Sequence, residues 1–529
     1  MLDLRNKRFV FLLPPLREKA DTFMPTGILV LADLLREIGW QVDIINIDLK
    51  RYPADEVLRQ LKEMTPDVVG WSAVAATAYA YVKEMTQRIK DAFPGAKVFL
   101  GGNLCSVADR LLHAGVDIVF VGEAEVSLPT VCKRISENGS VDDVPGIVYM
   151  SDGEVCCTGP SERMSTRDRV KYLPRSFEGI DLEYYMPPIE IPAHYGIDER
   201  SVDAMRSRYA GKRMVTIAIQ RGCQASCTFC HRNSKYSPFL VSDVVEYMRF
   251  LRDHYDVCYF RLASESFIGQ RQWILDFSAE VNQLGIIFDI GGARVDKVDY
   301  DILNALKDAG CVAVEFGYES GSQIILEEMA KGVALEENVN AAVWTKQLGL
   351  GSTPQLILGY PGESVGTLLD TVKFIRMCRR SAVSANMLQV LPGTPVYHYA
   401  VENGHIPDEE QYLLSVSDKN AADFSSFINM TPLHRSYLKA MRGFISRSAR
   451  YSDKPPVVYY SACFVWALVF SGYLLLKGPR SLELFVYIVS LMFRIDVSRK
   501  SGSSGDISVY MREKCLSLKC GDKLKYGCR

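Results

Sequence analysis

This 529-residue chain shows no Lys/Arg block, no apolar run near Met1 that would predict a secretory leader, and too few cysteines for a disulfide framework. Lysine and arginine number 61 against 63 acidic residues, for a net charge of -2 and a pI near 6.4. No block of like charge interrupts that balance, so the electrostatic footprint of a nucleic-acid binder is absent. Met1 to Lys7 contains no apolar segment leading to a small-residue cleavage site, which predicts a cytoplasmic protein. Fourteen cysteines are too few to staple a chain of this length, and three of them crowd into residues 223–230. That clustering points to metal in a reducing compartment. Length alone predicts more than two domains, each with its own core.

The crowded cysteines are Cys223, Cys227 and Cys230, at a C-x3-C-x2-C spacing that begins just after Arg221-Gly222. They follow the apolar run 214–219, which reads as a strand, so they fall on the loop at its carboxyl end. Three closely spaced thiolates suit an iron–sulfur cluster, because a short loop can wrap one cubane. Four iron corners and three cysteines leave one corner open, and an open metal position is what chemistry requires. A structural zinc site short of one ligand, and thiols with no shared role, are the competing readings.

Upstream, short apolar runs at 9–13, 42–45, 68–71, 98–100 and 118–121 read as strands. Helical patterns start between them, near Gly27, Ala54, Tyr79, Ser106 and Val126. Alternation of this kind predicts a doubly wound parallel sheet, which binds ligands beyond the carboxyl ends of its strands. Those ends carry Ser72, Gly101-Gly102-Asn103 and Gly122-Glu123-Ala124-Glu125. Residues 141–210 read as a linker, with a hairpin around the turn Ser151-Asp152-Gly153 and a polar helix at 198–211. The adjacent Cys156 and Cys157 read as structural thiols.

Strand and helix alternate again from 214 to about 397, with strands at 214–219, 257–262, 286–290, 313–316, 356–358 and 385–390. Six such units predict an open (β/α)6 barrel with its chemistry at the strands' carboxyl ends. Ser264-Glu265-Ser266, Gly291-Gly292-Ala293-Arg294, Gly317-Tyr318-Glu319-Ser320, Gly359-Tyr360-Pro361-Gly362-Glu363 and Leu391-Pro392-Gly393 stand there.

Over roughly residues 8–400 these motifs resemble the cobalamin-dependent radical S-adenosylmethionine (SAM) enzymes. Met24-Pro25-Thr26-Gly27, Gly39-x-x-Val42, Gly101-Gly102 and Val121-Gly122-Glu123-x-Glu125 look like that family's cobalamin domain. The cysteine loop, with aromatic Phe229 before its last cysteine, looks like the family's cluster loop. The resemblance implies an α/β architecture. It consists of a Rossmann-like cobalamin domain at 1–140, a linker at 141–210, a partial TIM-type barrel at 211–400 and a helical region at 401–529. It implies a 4Fe-4S cluster on Cys223, Cys227 and Cys230, with SAM chelating the open iron. SAM contacts would come from Phe229, Glu265, Arg294, Glu319, Ser320 and Gln355. Cobalamin contacts would come from Thr26, Ser72, Gly101, Gly102, Asn103, Gly122 and Glu123. Two departures stand out. The Asp-x-His-x-x-Gly motif is missing and residues 14–26 contain no histidine, so no imidazole from this loop is expected on cobalt. Ser264-Glu265 stands where relatives often carry two acids.

The activity implied is methylation of an unactivated carbon in a small natural product or lipid-like substrate. A 5′-deoxyadenosyl radical would abstract hydrogen and methylcobalamin would supply the methyl group. An oxidative cyclase or rearrangement enzyme is the alternative, and a non-enzymatic sensor the third. Electrons would come from a flavodoxin- or ferredoxin-type donor. No protein acid or base is assigned.

The remainder departs from the βα alternation. A basic helix is expected at 433–448, then a run of twenty uncharged residues at 457–476 and a second apolar run at 482–493. A core or lid helix, a membrane-surface helix and a membrane span are all compatible with that pattern, so peripheral membrane contact through 457–493 stays open. Cys515, Cys520 and Cys528 are either a second metal site or plain thiols.

Overall fold

The computed structural model describes residues 7–459 except 21, 166–167, 232–235, 268, 381, 417–425 and 456, together with 461, 462 and 465; for 264–267 it describes the backbone. The tail cysteines, 482–493 and most of the run 457–476, including all of it from 466, lie outside the described residues. Among the described residues, no helix is long and apolar enough to cross a membrane.

Five strands form the parallel part of the first sheet: β1 (Arg8–Leu13), β2 (Gln41–Asn46), β3 (Val68–Ser72), β4 (Lys97–Gly101) and β5 (Ile118–Phe120). They run parallel in the order 2-1-3-4-5. Both faces of such a sheet are covered, so successive side chains must all be apolar. Phe9, Phe11, Phe99 and Phe120 therefore pack on one face with Ile28, Leu35 and Val131. Val10, Leu12, Trp71 and Leu100 pack on the other with Val57, Leu61, Val82 and Met85. The expected hairpin forms as β6 (Ile147–Ser151) and β7 (Glu154–Cys157), and β6 joins β5 antiparallel. Asp152 and Gly153 both take positive φ, 51° and 82°, the pairing that matches a two-residue turn to strand twist. The hairpin thus extends the first sheet, although its residues fall in the stretch read from sequence as a linker. Cys156 and Cys157 stand side by side at the end of β7, both half-buried.

The second unit begins with β8 (Arg213–Ile217). A short ribbon of β9 (Gln220–Arg221) and β10 (Ser237–Pro238) follows. The remaining strands are β11 (Val257–Phe267), β12 (Ile287–Ala293), β13 (Cys311–Glu319), β14 (Gln355–Leu358) and β15 (Ser384–Met387). Strands β8 and β11 to β15 lie parallel and in chain order, an open half-barrel. Three of these strands outrun their apolar stretches. Ser264 to Ser266, Gly291 to Ala293 and Gly317 to Glu319 were expected in loops and are strand residues. Backbone pairing carried the strands on where side-chain patterning had stopped. Phe260, Leu262, Phe288, Ile290, Val314 and Phe316 pack outward against helices. By alternation Arg261, Asp289, Glu315, Gly317 and Glu319 face the barrel's inside.

The two units share one core, in which Val10, Leu12 and Trp71 belong to the same cluster as Met329, Tyr360, Val390 and Tyr412. Helix Glu409–Ser415 reinforces the junction. Glu410 accepts from Tyr79 at 2.8 Å and pairs with Lys83 at 2.6 Å, and Arg110 reaches both Glu409 and Glu410. The basic helix forms at Arg435–Ala449 and donates from Arg442 Nε to the Ala385 carbonyl, closing over β15.

Candidate active site

Strand β8 delivers the cysteine loop to the open end of the half-barrel, and backbone hydrogen bonds fix its middle. Thr228 donates its N–H to the Met329 carbonyl at 3.0 Å, and its own carbonyl accepts from Val396 at 3.1 Å. The three thiols sit in different surroundings. Cys227 is buried, Cys223 half-buried and Cys230 exposed. Burial pushes the Cys227 thiol up, while Lys331 and Arg294 pull it back. Cys223 accepts from the Ala225 N–H at 3.3 Å, and Cys230 donates to the His231 carbonyl. Among the described residues no three ligating side chains converge in metal-binding geometry. The donor chemistry nonetheless fits an anionic iron–sulfur cluster: three thiols share one short loop, and two buried cations act on Cys227.

Those cations belong to a compact set at the ends of β12 and β13. The Lys331 ammonium donates to Glu319 Oε1 at 2.7 Å, with both side chains buried. Burial pulls the Lys331 ammonium down, but Glu319 and Cys227 outweigh it and hold it above its ordinary range. Glu319 sits at φ 60°, in the left-handed region that non-glycine residues rarely adopt. Arg294 donates to Asp296 at 2.8 Å and to the Lys331 carbonyl at 2.8 Å. The resemblance implies Arg294 and Glu319 but not Lys331, although a lysine buried this deeply needs an acid partner.

The other residues named for SAM are spread around this set. Phe229 packs half-buried against the shared core. Ser320 is buried in its own turn, accepting from the Ser322 N–H at 3.1 Å and standing 3.5 Å from Thr371 Oγ1. Gln355 opens β14 beside Gly317. Glu265 lies near the end of β11.

The seven residues named for cobalamin all fall on the carboxyl-terminal edge of the first sheet. Ser72 and Gly101 end β3 and β4, and Thr26 opens the helix after β1. Gly102 has φ 93°, and a Cβ there would stand 2.6 Å from the Ala73 carbonyl oxygen, so only glycine lets the two loops cross. Asn103 Nδ2 donates to the Val74 carbonyl across that crossing. A Cβ at Gly27 or Gly101 would meet nothing within 4 Å, which leaves room for a large ligand along this edge. Gly122 has φ 86° and leads into Glu123, whose carboxylate accepts from the Tyr172 hydroxyl at 2.6 Å.

The same edge meets the cysteine loop directly. Arg221, two residues before Cys223, donates to Glu125 Oε1 at 2.9 Å and lies over the Tyr172 ring at 4.6 Å. Tyr172 therefore links Arg221 to Glu123 as well. Gly393, after β15, packs on Ser106, just after the Asn103 loop. The carboxyl edges of the two units face one another across these contacts. The motif Gly122-Glu123-x-Glu125 was legible in the sequence, but its partner 96 residues away was not.

Comparison with known proteins gives the same two-part division. Residues 18–131 match the family described as B12 binding domain, and residues 217–375 match the radical SAM superfamily. An uncharacterized methyltransferase of Pyrococcus horikoshii is 24% identical over 76% of this chain and 84% of its own length. The anaerobic magnesium-protoporphyrin IX monomethyl ester cyclase of Rubrivivax gelatinosus is 25% identical over 75% of this chain and 69% of its own. The radical SAM methyltransferase TsrM of Kitasatospora setae, solved with cobalamin and a 4Fe-4S cluster bound, superposes with a TM-score of 0.60. It is 17% identical over 75% of each chain, which establishes a common fold.

Proposed function

We propose, from the premise that this chain is a cobalamin-dependent radical SAM enzyme, that it methylates an unactivated carbon of a small-molecule substrate. The observation that carries the reading is the Arg221–Glu125 contact at 2.9 Å, because it holds the cysteine loop against the cobalamin-domain edge. Two half-reactions on one substrate need the two cofactor sites close to one another. When bound, the cluster would supply the electron that cleaves SAM to a 5′-deoxyadenosyl radical, and cobalamin would carry the methyl group. The chain's own residues do the placing. Cys223, Cys227 and Cys230 would hold the cluster, while Lys331 and Arg294 would offset its negative charge. Glu319 offers an acceptor to the SAM ammonium, and Phe229, Arg294, Ser320, Gln355 and Glu265 stand around it. Thr26, Ser72, Gly101, Gly102, Asn103, Gly122 and Glu123 shape the cobalamin edge. An external flavodoxin- or ferredoxin-type protein delivers the electron.

The test is the fate of SAM. A methyltransferase should form 5′-deoxyadenosine and S-adenosylhomocysteine in about equal amounts per methylated product, since hydrogen abstraction and methyl supply are separate events. Deuterium at the reacting carbon should appear in 5′-deoxyadenosine. The similarity to the Rubrivivax cyclase keeps oxidative cyclisation as the second reading. A cyclase would give 5′-deoxyadenosine with product and no matching S-adenosylhomocysteine.

Cobalamin itself is tested separately. Anaerobic purification with hydroxocobalamin should yield a stoichiometric cobalamin spectrum, and paramagnetic resonance of the cob(II)alamin state should lack histidine nitrogen coupling from residues 14–26. Protein that retains no cobalamin under these conditions would remove it from the reading.

A further inference from the structure

Inside the half-barrel, small residues leave room on three neighbouring strands. Ala263 pairs with Gly291, and Gly317 follows on β13, the strand next to β12. A Cβ at Gly291 would find only the Leu262 carbonyl oxygen, at 3.8 Å. A Cβ at Gly317 would stand 2.3 Å from Glu319 Oε1, so the missing side chain is what lets Glu319 fold down over these small residues. Above lies the rim set of Cys227, Glu319, Lys331 and Arg294. Below, two residues down each strand and about 7 Å away, lies a charged floor of Arg261, Asp289 and Glu315.

The floor's charges do not balance. Asp289 is fully engaged, accepting from the Tyr259 hydroxyl at 2.5 Å and pairing with Arg261 Nε at 3.3 Å. Arg261 spends a further donor on the Tyr195 hydroxyl at 3.1 Å. Glu315 has one unsatisfied oxygen. Its Oε1 is buried and makes no hydrogen bond among the described residues. The nearest base is His194, whose Nε2 is 3.7 Å away, and burial together with Arg261 holds that imidazole below its ordinary range, hence neutral near pH 7. Burial, with Asp289 adding to it, pushes the Glu315 carboxyl up to about 7, while Arg261, already paired with Asp289, and a hydrogen bond with Thr353 pull it back only in part. Two carboxylates against one guanidinium make the floor an acceptor site, and a carboxylate or phosphate ligand would meet like charge there.

We propose that Glu315 anchors the substrate, and that the substrate carries a protonated amine which pairs with Glu315 while its reacting carbon points to the rim. The inference rests on the radical SAM reading for where the chemistry occurs, and leaves the rest of the substrate free to be apolar. The ammonium supplies the hydrogen-bond donor and cation that Glu315 Oε1 lacks, beside an Arg261–Asp289 pair that is already formed.

The test uses the full-length, anaerobically reconstituted protein and three four-carbon probes: n-butylammonium, n-butanol and butyrate. Ligand-observed NMR titration should detect n-butylammonium binding, weaker n-butanol binding and no butyrate binding. Glu315→Gln should weaken n-butylammonium by about tenfold or more, and Glu315→Asp, which keeps the charge, should weaken it less. Iron and cobalamin contents of each variant report independently on the cofactor reading. If they are intact while wild-type protein binds butyrate as well as n-butylammonium, binds neither, or is unaffected by Glu315→Gln, the amine anchor is overturned and the radical SAM reading stands. Amine selectivity that depends on Glu315 in protein unable to load iron would instead overturn the radical SAM reading alone.

Discussion

Replacing Cys223, Cys227 and Cys230 together with alanine should abolish iron binding while leaving the fold in place. Wild-type protein reconstituted anaerobically should hold about four irons and four labile sulfides per chain, the stoichiometry of one cubane. The variant should hold essentially none and should no longer cleave SAM. The fold should survive because the loop is held by backbone bonds that the substitutions do not touch, chiefly those of Thr228 to Met329 and Val396. Only Cys227 is buried, so truncation leaves one small cavity at a cost of about 1 kcal/mol. Elemental analysis and the paramagnetic signal of the reduced cluster read the result. Zinc in place of iron, in protein prepared with both metals, would favour the structural-zinc alternative. Full iron content in the variant would remove these cysteines from the site.

The division between what the chain discloses and what it withholds follows the range of the interactions. Every strand of both parallel sheets was legible, because two-sided burial forces continuous apolar runs such as those of β1 and β3. The cysteine spacing was legible for a related reason: one short loop supplies all three sulfurs. Strand ends were misplaced where polar residues continue a ladder, as at Glu265 and Glu319. The hairpin β6–β7 was seen, yet its attachment to β5 was not, since pairing with a distant edge leaves no local mark. The same holds for Arg221 with Glu125, and for the floor of Arg261, Asp289 and Glu315. Each floor residue reads as an ordinary polar interruption of an apolar strand until the sheet brings the three together. Two-residue alternation assigns such residues to the inside of a barrel, but only the closed register says which charges meet.

Lys331→Met should be the most destabilising single change at the rim, and the double variant with Glu319→Gln should recover most of the loss. Lys331 and Glu319 are 7% and 12% exposed and 2.7 Å apart. Removing one partner strands a charge away from water, at a cost of about 3–5 kcal/mol. Removing both charges eliminates the stranded group along with the attraction. Because desolvation offsets much of a buried pair's Coulomb energy, the net change should be near zero. Thermal unfolding followed by circular dichroism should therefore show a large drop for Lys331→Met and near-wild-type behaviour for the double variant. SAM affinity, measured anaerobically by equilibrium dialysis, should separate from stability. In the double variant it should remain weakened by about tenfold or more, because the acceptor for the SAM ammonium is gone even though the fold is restored. A single variant as stable as the double would mean that the pair is not desolvated in solution. A double variant that binds SAM like wild type would place Glu319 outside the ligand's reach and leave it the role of balancing Lys331 beside Cys227.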